Sequence, residues 1–202
     1  MRKPLLHPDP AVKSVTPANR ICRTRRSSGA LAASGFTMIE LMVTLSILAI
    51  LLALAAPSFR DFILNSRLTA QINDLVADIS FARSEAAVRG ASITMCASAD
   101  LSTCVNAGNT WQTGRIVFLD TNSNGTREAT EQILKRTEAL GSSNALIASG
   151  FTQTERLSFK PYGGLLLSTG GSFKLCDPLL TTGRAVVVAA TGRPVASKVP
   201  CP

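Results

Sequence analysis

The side chains that most often carry out catalysis are scarce in this 202-residue chain. Its single histidine is His7, close to the start. Catalytic triads of the serine-protease kind, and most zinc sites, need imidazole as a base or as a metal ligand. If the N-terminal stretch is removed, no imidazole remains. The composition therefore argues against an enzyme.

Cysteine offers a second kind of chemistry. The chain has five cysteines, Cys22, Cys96, Cys104, Cys176 and Cys201. A zinc site is one interpretation of the last four, but no two of them have the C-x-x-C spacing that zinc ligands usually show. As disulfides, four cysteines allow three pairings. We favour Cys96–Cys104 and Cys176–Cys201, because each bond closes a local loop and is worth about 2–4 kcal/mol.

One loop has the residue pattern of a calcium site. Asp120, Asn122, Asn124, Gly125 and Glu131 satisfy the pattern D-x-[DN]-x-[DN]-G-x5-E. Oxygen ligands at alternate positions and a bidentate acid are what Ca²⁺ binds. The same residues are also typical of a tight turn rich in Asn and Gly. A strand-like segment precedes the loop, and two amides stand where acids would bind better, so a turn without a cofactor is the preferred interpretation and calcium the alternative.

Basic residues accumulate towards the C-terminus. From residue 156 onward the chain has six Lys and Arg and one acid, Asp177. Lys174, Arg184, Arg193 and Lys198 are therefore candidates for weak, salt-dependent contact with DNA phosphates. Aromatic residues that could stack on bases do not alternate with them. A solvated basic face is the preferred interpretation, and DNA is the alternative partner.

Most of the net charge of +8 comes from the first 35 residues. They contain seven of the 21 Lys and Arg, one acid, four prolines and no hydrophobic periodicity. We expect no fold there. The high isoelectric point thus describes a leader and is not a nucleic-acid signature of the whole protein.

Residues 36–56 form an apolar stretch with a single charge, Glu40. As a helix it would be about 31 Å long, which is enough to cross a bilayer core. The arginines before it predict a cytoplasmic N-terminus and an external C-terminal part, where disulfides can form. The stretch could be a plain signal anchor, a secretory signal cut after Ala55, or a third kind of segment that explains the acid.

The residues from Gly35 to Glu40, followed by the apolar helix, resemble the type IV prepilin cleavage and N-methylation motif. The resemblance implies that prepilin peptidase cuts between Gly35 and Phe36 and methylates the new amino group of Phe36. It also implies that Glu40 neutralises the amino group of a neighbouring subunit during assembly. A carboxylate within hydrocarbon is costly unless it is paired, so an acid at this place is a functional candidate. The leader is long for this family.

After Pro57 apolar residues recur at spacings of three and four and predict a helix that ends near Arg89, with a bend at Pro57. The apolar positions are Phe59, Phe62, Ile63, Leu68, Ile72, Leu75, Val76, Ile79 and Ala86. Short strands are expected beyond Ala91. Their predicted ranges are 92–97, 115–119, 132–136, 157–159, 165–167, 172–175 and 185–190.

The globular part resembles the GspH/FimT group of minor pilins and pseudopilins. The run ISFARSEAAVRGASITMCAS, the W-x-x-G element that starts at Trp111 and the string IVFLD at 116–120 carry the resemblance, and Gly164 and residues 173–177 also fit. It implies an α+β fold of the type IV pilin kind: a long N-terminal α-helix, transmembrane in its first half, packed on an antiparallel β-sheet. The expected parts are a cleaved leader (1–35), a membrane or filament-core helix (36–56), an amphipathic helix (57–90) and a β-rich domain (91–202).

These features together predict a minor pilin that takes part in type IV pilus assembly. An H-type pseudopilin of a type II secretion system, or a DNA-binding pilin for DNA uptake, is the alternative. The implied partners are other pilins or pseudopilins, prepilin peptidase and the inner-membrane assembly machinery. The implied location is the inner membrane, crossed once with the globular domain in the periplasm, and later the pilus or pseudopilus.

Overall fold

The computed structural model describes residues 35–106, 108–141, 143–166 and 168–201. The predicted leader thus lies outside the described residues, except for Gly35. Contacts divide the chain into two units, with the boundary between Thr44 and Leu45. The second unit holds all of the β-structure.

Helix α1 runs from Met38 to Arg89 and is the principal helix. It ends at Gly90, whose φ of +61° is a left-handed conformation that glycine adopts without a steric penalty. The helix ends where the sequence predicts. The backbone remains helical through residue 57, and the bend expected there stays a prediction.

The face of α1 that packs against the sheets begins later than the sequence predicts. Its buried members are Leu68, Ile72, Leu75, Ile79, Ala82 and Ala86. Phe59, Phe62 and Ile63 are exposed instead. Since successive helical residues are about 100° apart, these three point roughly 120° or more away from Leu68. The prediction that they share the core-facing side was therefore wrong.

In the described part of the chain, eight strands form two antiparallel four-stranded sheets. The strands are β1 Ile93–Ala97, β2 Arg115–Leu119, β3 Ile133–Thr137, β4 Ala145–Ser149, β5 Arg156–Phe159, β6 Gly170–Cys176, β7 Thr182–Ala189 and β8 Pro194–Pro200. Sheet A has the order β3-β2-β1-β5, and sheet B has the order β4-β6-β7-β8. A 3₁₀ turn, Trp111–Thr113, precedes β2.

The predicted α+β class is confirmed, but the β-structure consists of two sheets where one was expected. Strands β4 and β8 were not predicted, and both lie at edges of sheet B. Prolines at both ends of β8 are compatible with an edge strand, where a missing backbone donor costs little. In the strand predicted at 165–167, Leu165 makes an isolated bridge to Phe159 and Leu166 is not in a strand, while residue 167 lies outside the described residues.

An aromatic cluster lies in the core. The rings of Trp111 and Phe173 meet edge to face at 4.9 Å between centroids, and Phe151 lies 5.1 Å from Phe173. The Trp111 indole Nε1 donates a hydrogen bond to the carbonyl oxygen of Thr154 at 2.6 Å. Trp111, which the sequence marks as part of a motif, is therefore a buried packing residue with its polar group satisfied.

A buried charge joins α1 to sheet A. The Asp78 carboxylate accepts hydrogen bonds from Arg115 Nε at 2.5 Å and Thr137 Oγ1 at 2.9 Å, and it lies 2.6 Å from Lys135 Nζ. Asp78 and Arg115 are both fully buried. Since a buried carboxylate is tolerated only when it is paired and hydrogen-bonded, this network fixes the helix against strands β2 and β3.

The outer edge of strand β4 is covered by a side chain. Asn109 Nδ2 donates to the carbonyl oxygen of Ala148 at 2.5 Å, and the amide nitrogen of Ala148 donates to Asn109 Oδ1 at 2.7 Å. A single carboxamide thus reproduces the donor and acceptor pair that a neighbouring strand would offer.

Candidate functional site

The start of α1 is organised by Thr37. The backbone nitrogen of Glu40 donates to Thr37 Oγ1 at 3.2 Å, and that of Leu41 donates to the Thr37 carbonyl at 3.2 Å. Thr37 is therefore the N-cap of the helix. Thr37 is not among the residues predicted from the sequence, although the T-x-x-E pattern of a capping box, from Thr37 to Glu40, indicates this role.

Glu40 occupies the third helical position, where the amide dipoles of a helix favour negative charge. Its side chain is exposed, and no residue in the described ranges pairs with its carboxylate. Gly35 and Phe36 are exposed as well and precede the first helical residue. The peptide bond between Gly35 and Phe36 and the Glu40 carboxylate are thus both accessible to a partner.

The first half of α1 presents an apolar surface on every side. Its exposed large side chains include Met38, Ile39, Leu41, Met42, Val43, Leu45, Ile47, Leu48, Ile50, Leu51, Leu52 and Leu54. Within the described residues, α1 is the one helix that is long and apolar enough to cross a membrane. Apolar surface of this extent is unfavourable in water and indicates a lipid or protein environment.

Four cysteines are joined as two disulfides. Cys96 bonds to Cys104 with a Cα–Cα distance of 5.6 Å, and Cys176 bonds to Cys201 with a Cα–Cα distance of 5.9 Å. The first bond closes the loop that follows β1. The second ties the end of β8 to the end of β6. No thiol in the described residues is therefore left for a metal or for catalysis.

The loop closed by the first disulfide is ordered around an exposed acid. Asp100 Oδ1 accepts hydrogen bonds from the backbone nitrogens of Thr103 at 2.8 Å and Ser102 at 2.9 Å, and Oδ2 accepts one from the Thr103 hydroxyl at 2.7 Å. The Thr103 and Ser102 amides hold the pKa of the Asp100 carboxyl well below its usual range. The charge of Asp100 thus orders a turn.

The calcium-like loop uses its acids internally. Asp120 Oδ2 accepts hydrogen bonds from Thr94 Oγ1 at 2.7 Å and from the Gly125 amide at 2.9 Å. Glu131 Oε1 accepts one from the Thr121 amide at 2.8 Å. No group of three or more acid, Cys or His side chains in the described ranges is arranged to hold a metal. Within the loop, these hydrogen bonds tie both acids to neighbouring residues of the protein.

The side chains of Asn122 and Asn124 donate hydrogen bonds to an acid that the calcium-site pattern does not include. Asn124 Nδ2 donates to Glu128 Oε1 at 2.6 Å, and Asn122 Nδ2 donates to the same oxygen at 3.3 Å. The hydrogen bond from Asn124 is the main cause that lowers the pKa of the Glu128 carboxyl. Glu128 occupies an unspecified position of the motif, so sequence reasoning gave no signal for it.

The structure does not bring the four DNA candidates together. Arg184 and Lys198 are cross-strand partners on β7 and β8, on the face of sheet B that also carries the buried Leu175. Lys174 is paired with Ala185 and therefore projects from the opposite face. Arg193 lies in the β7–β8 turn, at the other end of the hairpin from Arg184. One continuous basic patch, as the DNA interpretation requires, is not formed by these residues.

Two family profiles match the chain. The profile described as type II transport protein GspH matches residues 71–192, which is more than half of the chain. The profile of the prokaryotic N-terminal methylation motif matches residues 31–56 and so includes Gly35, Phe36 and Glu40.

A curated relative matches a short part of the chain. Fimbrial protein Q of Moraxella bovis is 44% identical over 46 residues, which cover 23% of this chain and 29% of that protein. The chain therefore aligns with less than a third of the length of this relative.

Two crystal structures of the type IV minor pilin FimU from Pseudomonas aeruginosa strain PAO1 are similar to the chain. One is 22% identical with a TM-score of 0.47 and covers 70% of this chain and 92% of its own. The other is 21% identical with a TM-score of 0.46 and covers 64% and 91%. With such identities and TM-scores below 0.5, these structures do not decide the function of this chain.

Proposed function

Because the chain belongs to the GspH family, whose members are structural type IV minor pilins and type II pseudopilins without enzymatic activity, we propose that it is a minor pilin that takes part in assembling a type IV pilus. The observation that carries the proposal is the N-methylation motif at residues 31–56, which coincides with the exposed apolar half of α1. An H-type pseudopilin of a type II secretion system is the second candidate, since it uses the same helix.

The proposed processing step is cleavage between Gly35 and Phe36 by prepilin peptidase, followed by methylation of the Phe36 amino group. Exposure of both residues supports the proposal, and so does their place before the first helical residue, since a peptidase needs extended backbone. The cap at Thr37 leaves the helix intact after cleavage, because its hydrogen bonds involve residues downstream of the cut.

The proposed role of Glu40 is to attract the methylated amino group of a neighbouring subunit. Two unit charges 4 Å apart attract each other by about 1 kcal/mol in water and by about 4 kcal/mol at an effective dielectric constant of 20. The apolar side chains around Glu40 lower the local dielectric constant and therefore favour the larger attraction. An unpaired carboxylate in such surroundings is unstable, so each subunit would gain by joining the next.

Before assembly we place the chain in the inner membrane, crossed once by residues 36–56, with the N-terminus in the cytoplasm and the β-structure in the periplasm. The inner-membrane assembly machinery would then move it into the filament beside other pilins. DNA is left out of the proposed partners, because Lys174 on β6 projects from the opposite face of sheet B to Arg184 and Lys198, and Arg193 lies at the other end of the β7–β8 hairpin.

Mass spectrometry of the mature N-terminus tests the processing step. We expect the purified protein to begin with N-methylated Phe36. A product that begins at Ala56 would indicate an ordinary secretory signal, and a product that keeps residues 1–35 would mean that no cleavage takes place.

The substitution Glu40→Ala tests the assembly step. We expect processing to stay mostly intact and incorporation into filaments to fall strongly, because the amino group of the neighbouring subunit loses its counter-charge. Immunoblots of sheared filaments and of membranes measure the two quantities. The matched control is Glu40→Asp, which keeps the charge and should keep most of the incorporation. Normal incorporation of Glu40→Ala would contradict the pairing.

A deletion strain separates the two candidate filaments. If the protein is a minor pilin, surface pili should decrease on deletion, and the restored protein should co-sediment with sheared pili. Loss of enzyme secretion with unchanged piliation would instead identify the pseudopilin.

A further inference from the structure

One end of sheet B meets α1 just beyond the apolar half of the helix. A groove there is lined by Asp61 and Asn65 of α1 and by Thr182, Arg184 and Lys198 of sheet B. Arg184 Nη2 donates to Thr69 Oγ1 at 3.3 Å, which fixes the position of this end along the helix. We call residues 59–69, the β6–β7 turn at 177–181, Arg184 and Lys198 the proximal rim.

The proximal rim lies at the depth of lipid headgroups if the apolar half of α1 spans a bilayer. Arg60 and Asp61 follow residue 56, the last of the apolar stretch, by four and five residues, or about 6 and 7.5 Å along a helix. The headgroup layer on each side of a bilayer core is about 5–8 Å thick. Lys198 and Thr182 line the groove opposite Asp61, so sheet B reaches the same level.

The apolar side chains of the proximal rim point into solvent. Phe59 and Phe62 are each 66% exposed, and Leu179 in the β6–β7 turn is 60% exposed. The Phe side chains belong to the face of α1 that does not pack on the sheets. Exposed aromatic and aliphatic side chains beside a membrane span are typical of residues that enter the interface between headgroups and acyl chains.

The charges of the proximal rim are mostly positive. Arg60, Arg67, Arg184 and Lys198 form no ion pair within the described ranges. Asp61, which lines the groove, and Asp177 are the acids of the rim, which thus has four cations and two acids. Cations near an anionic leaflet each strengthen binding by roughly fivefold at low salt. The excess of positive charge is therefore complementary to phosphate headgroups.

We propose that the proximal rim binds anionic phospholipid headgroups on the outer side of the membrane through Arg60 and Lys198, while Phe59, Phe62 and Leu179 enter the interface. The inference rests on the proposed membrane insertion of α1. The headgroup contacts hold sheet B against the lipid surface until the subunit is extracted. Extraction must then break these contacts as well as withdraw the helix.

The test uses the full chain reconstituted in vesicles of phosphatidylglycerol or of phosphatidylcholine, with brominated acyl chains as the quencher. Leu179→Trp places a fluorophore on the rim, and the signal of the unsubstituted chain, whose Trp111 is 1% exposed, is subtracted. The matched control is Ile147→Trp, a site that is 49% exposed on strand β4 and outside the rim.

We expect the Trp at position 179 to be quenched at least twofold more in phosphatidylglycerol than in phosphatidylcholine, and the Trp at position 147 to be unquenched in both. The double substitution Arg60→Gln/Lys198→Gln, or 0.5 M salt, should remove most of the difference, because the substitutions remove the charges and salt screens them. Equal quenching in both lipids, or no effect of the double substitution, would overturn the proposal.

Carbonate extraction of the same vesicles distinguishes failure of the rim proposal from failure of the proposed membrane span. A chain that is inserted but unquenched at position 179 refutes the rim and leaves the proposed function standing. A chain that is not inserted refutes the membrane span and the rim together. If the double substitution leaves quenching unchanged but prevents incorporation into filaments, the rim contacts a neighbouring subunit instead of lipid, and the proposal is wrong.

Discussion

At the scale of single residues, Asp78 is the buried charge that joins α1 to sheet A. It is fully buried and is satisfied by three donors on two strands, Arg115, Lys135 and Thr137. Its periodic position in α1 gave no sign of this role, since a solvated acid on an amphipathic helix has the same sequence pattern. Only the pairing of β2 and β3 brings the three donors to the helix.

Removal of one partner from a buried ion pair leaves the other charge unpaired, which typically costs about 3–5 kcal/mol. We therefore expect Asp78→Ala to lower the free energy of unfolding by about that amount, measured by urea denaturation of the detergent-solubilised chain. Asp74→Ala is the control, because Asp74 is exposed one turn away on the same helix. A loss below about 1 kcal/mol would show that the network contributes little.

Asp120 is a second residue whose surroundings decide its role. Its carboxylate is buried and accepts hydrogen bonds from Thr94 and Gly125, so a cation would have to displace existing donors. We expect millimolar Ca²⁺ to leave the melting temperature unchanged within 1 °C or so, where a bound ion at a hundredfold excess over Kd would add about 2.7 kcal/mol to stability. A clear rise, abolished by EDTA, would restore the calcium interpretation.

At the scale of elements, sequence reasoning succeeded where a periodic pattern was continuous. Helix α1 and the strands β1, β2, β5, β6 and β7 follow the pattern closely. The edge strands β4 and β8 of sheet B were missed, although the edge strands β3 and β5 of sheet A were predicted. Strand β8 has a proline at each end, which an edge strand tolerates but which is not typical of a strand sequence. The prediction placed the start of the face of α1 that packs against the sheets too early in the helix. The reason is that the apolar residues before Leu68 are equally periodic but face away from the sheets.

The edge strand β8 depends on the disulfide between Cys176 and Cys201. This bond spans 25 residues, while the bond between Cys96 and Cys104 spans 8. Because closing a longer loop removes more entropy from the unfolded chain, the bond between Cys176 and Cys201 should stabilise the fold by about 1 kcal/mol more than the other bond. We expect Cys176→Ser/Cys201→Ser to lower the free energy of unfolding by that much more than Cys96→Ser/Cys104→Ser.

Limited proteolysis of the two double variants provides the second measurement. Cleavage should begin within residues 194–201 in the first variant and within residues 97–104 in the second. Equal stability and the same cleavage sites in both variants would show that the longer bond does not hold β8 in place.

At the scale of the whole molecule, the N-terminal motif predicts more about function than the globular part does. Gly35, Phe36 and Glu40 are close in sequence, so their chemistry can be read without a fold. The proximal rim could not be predicted in this way, since its residues come from α1, the β6–β7 turn and two strands. The separation of the four basic candidates for DNA contact could not be predicted either, because strand alternation and the two ends of a hairpin set apart residues that are clustered in sequence.

The carboxamide of Asn109 on strand β4 has a consequence for a protein that is made to polymerise. Filaments of this family require ordered growth, whereas open sheet edges invite uncontrolled stacking of one chain on another, which leads to amyloid. By occupying the donor and the acceptor of Ala148, Asn109 closes one such route. Assembly competence and resistance to aggregation are thereby assigned to different parts of the same chain.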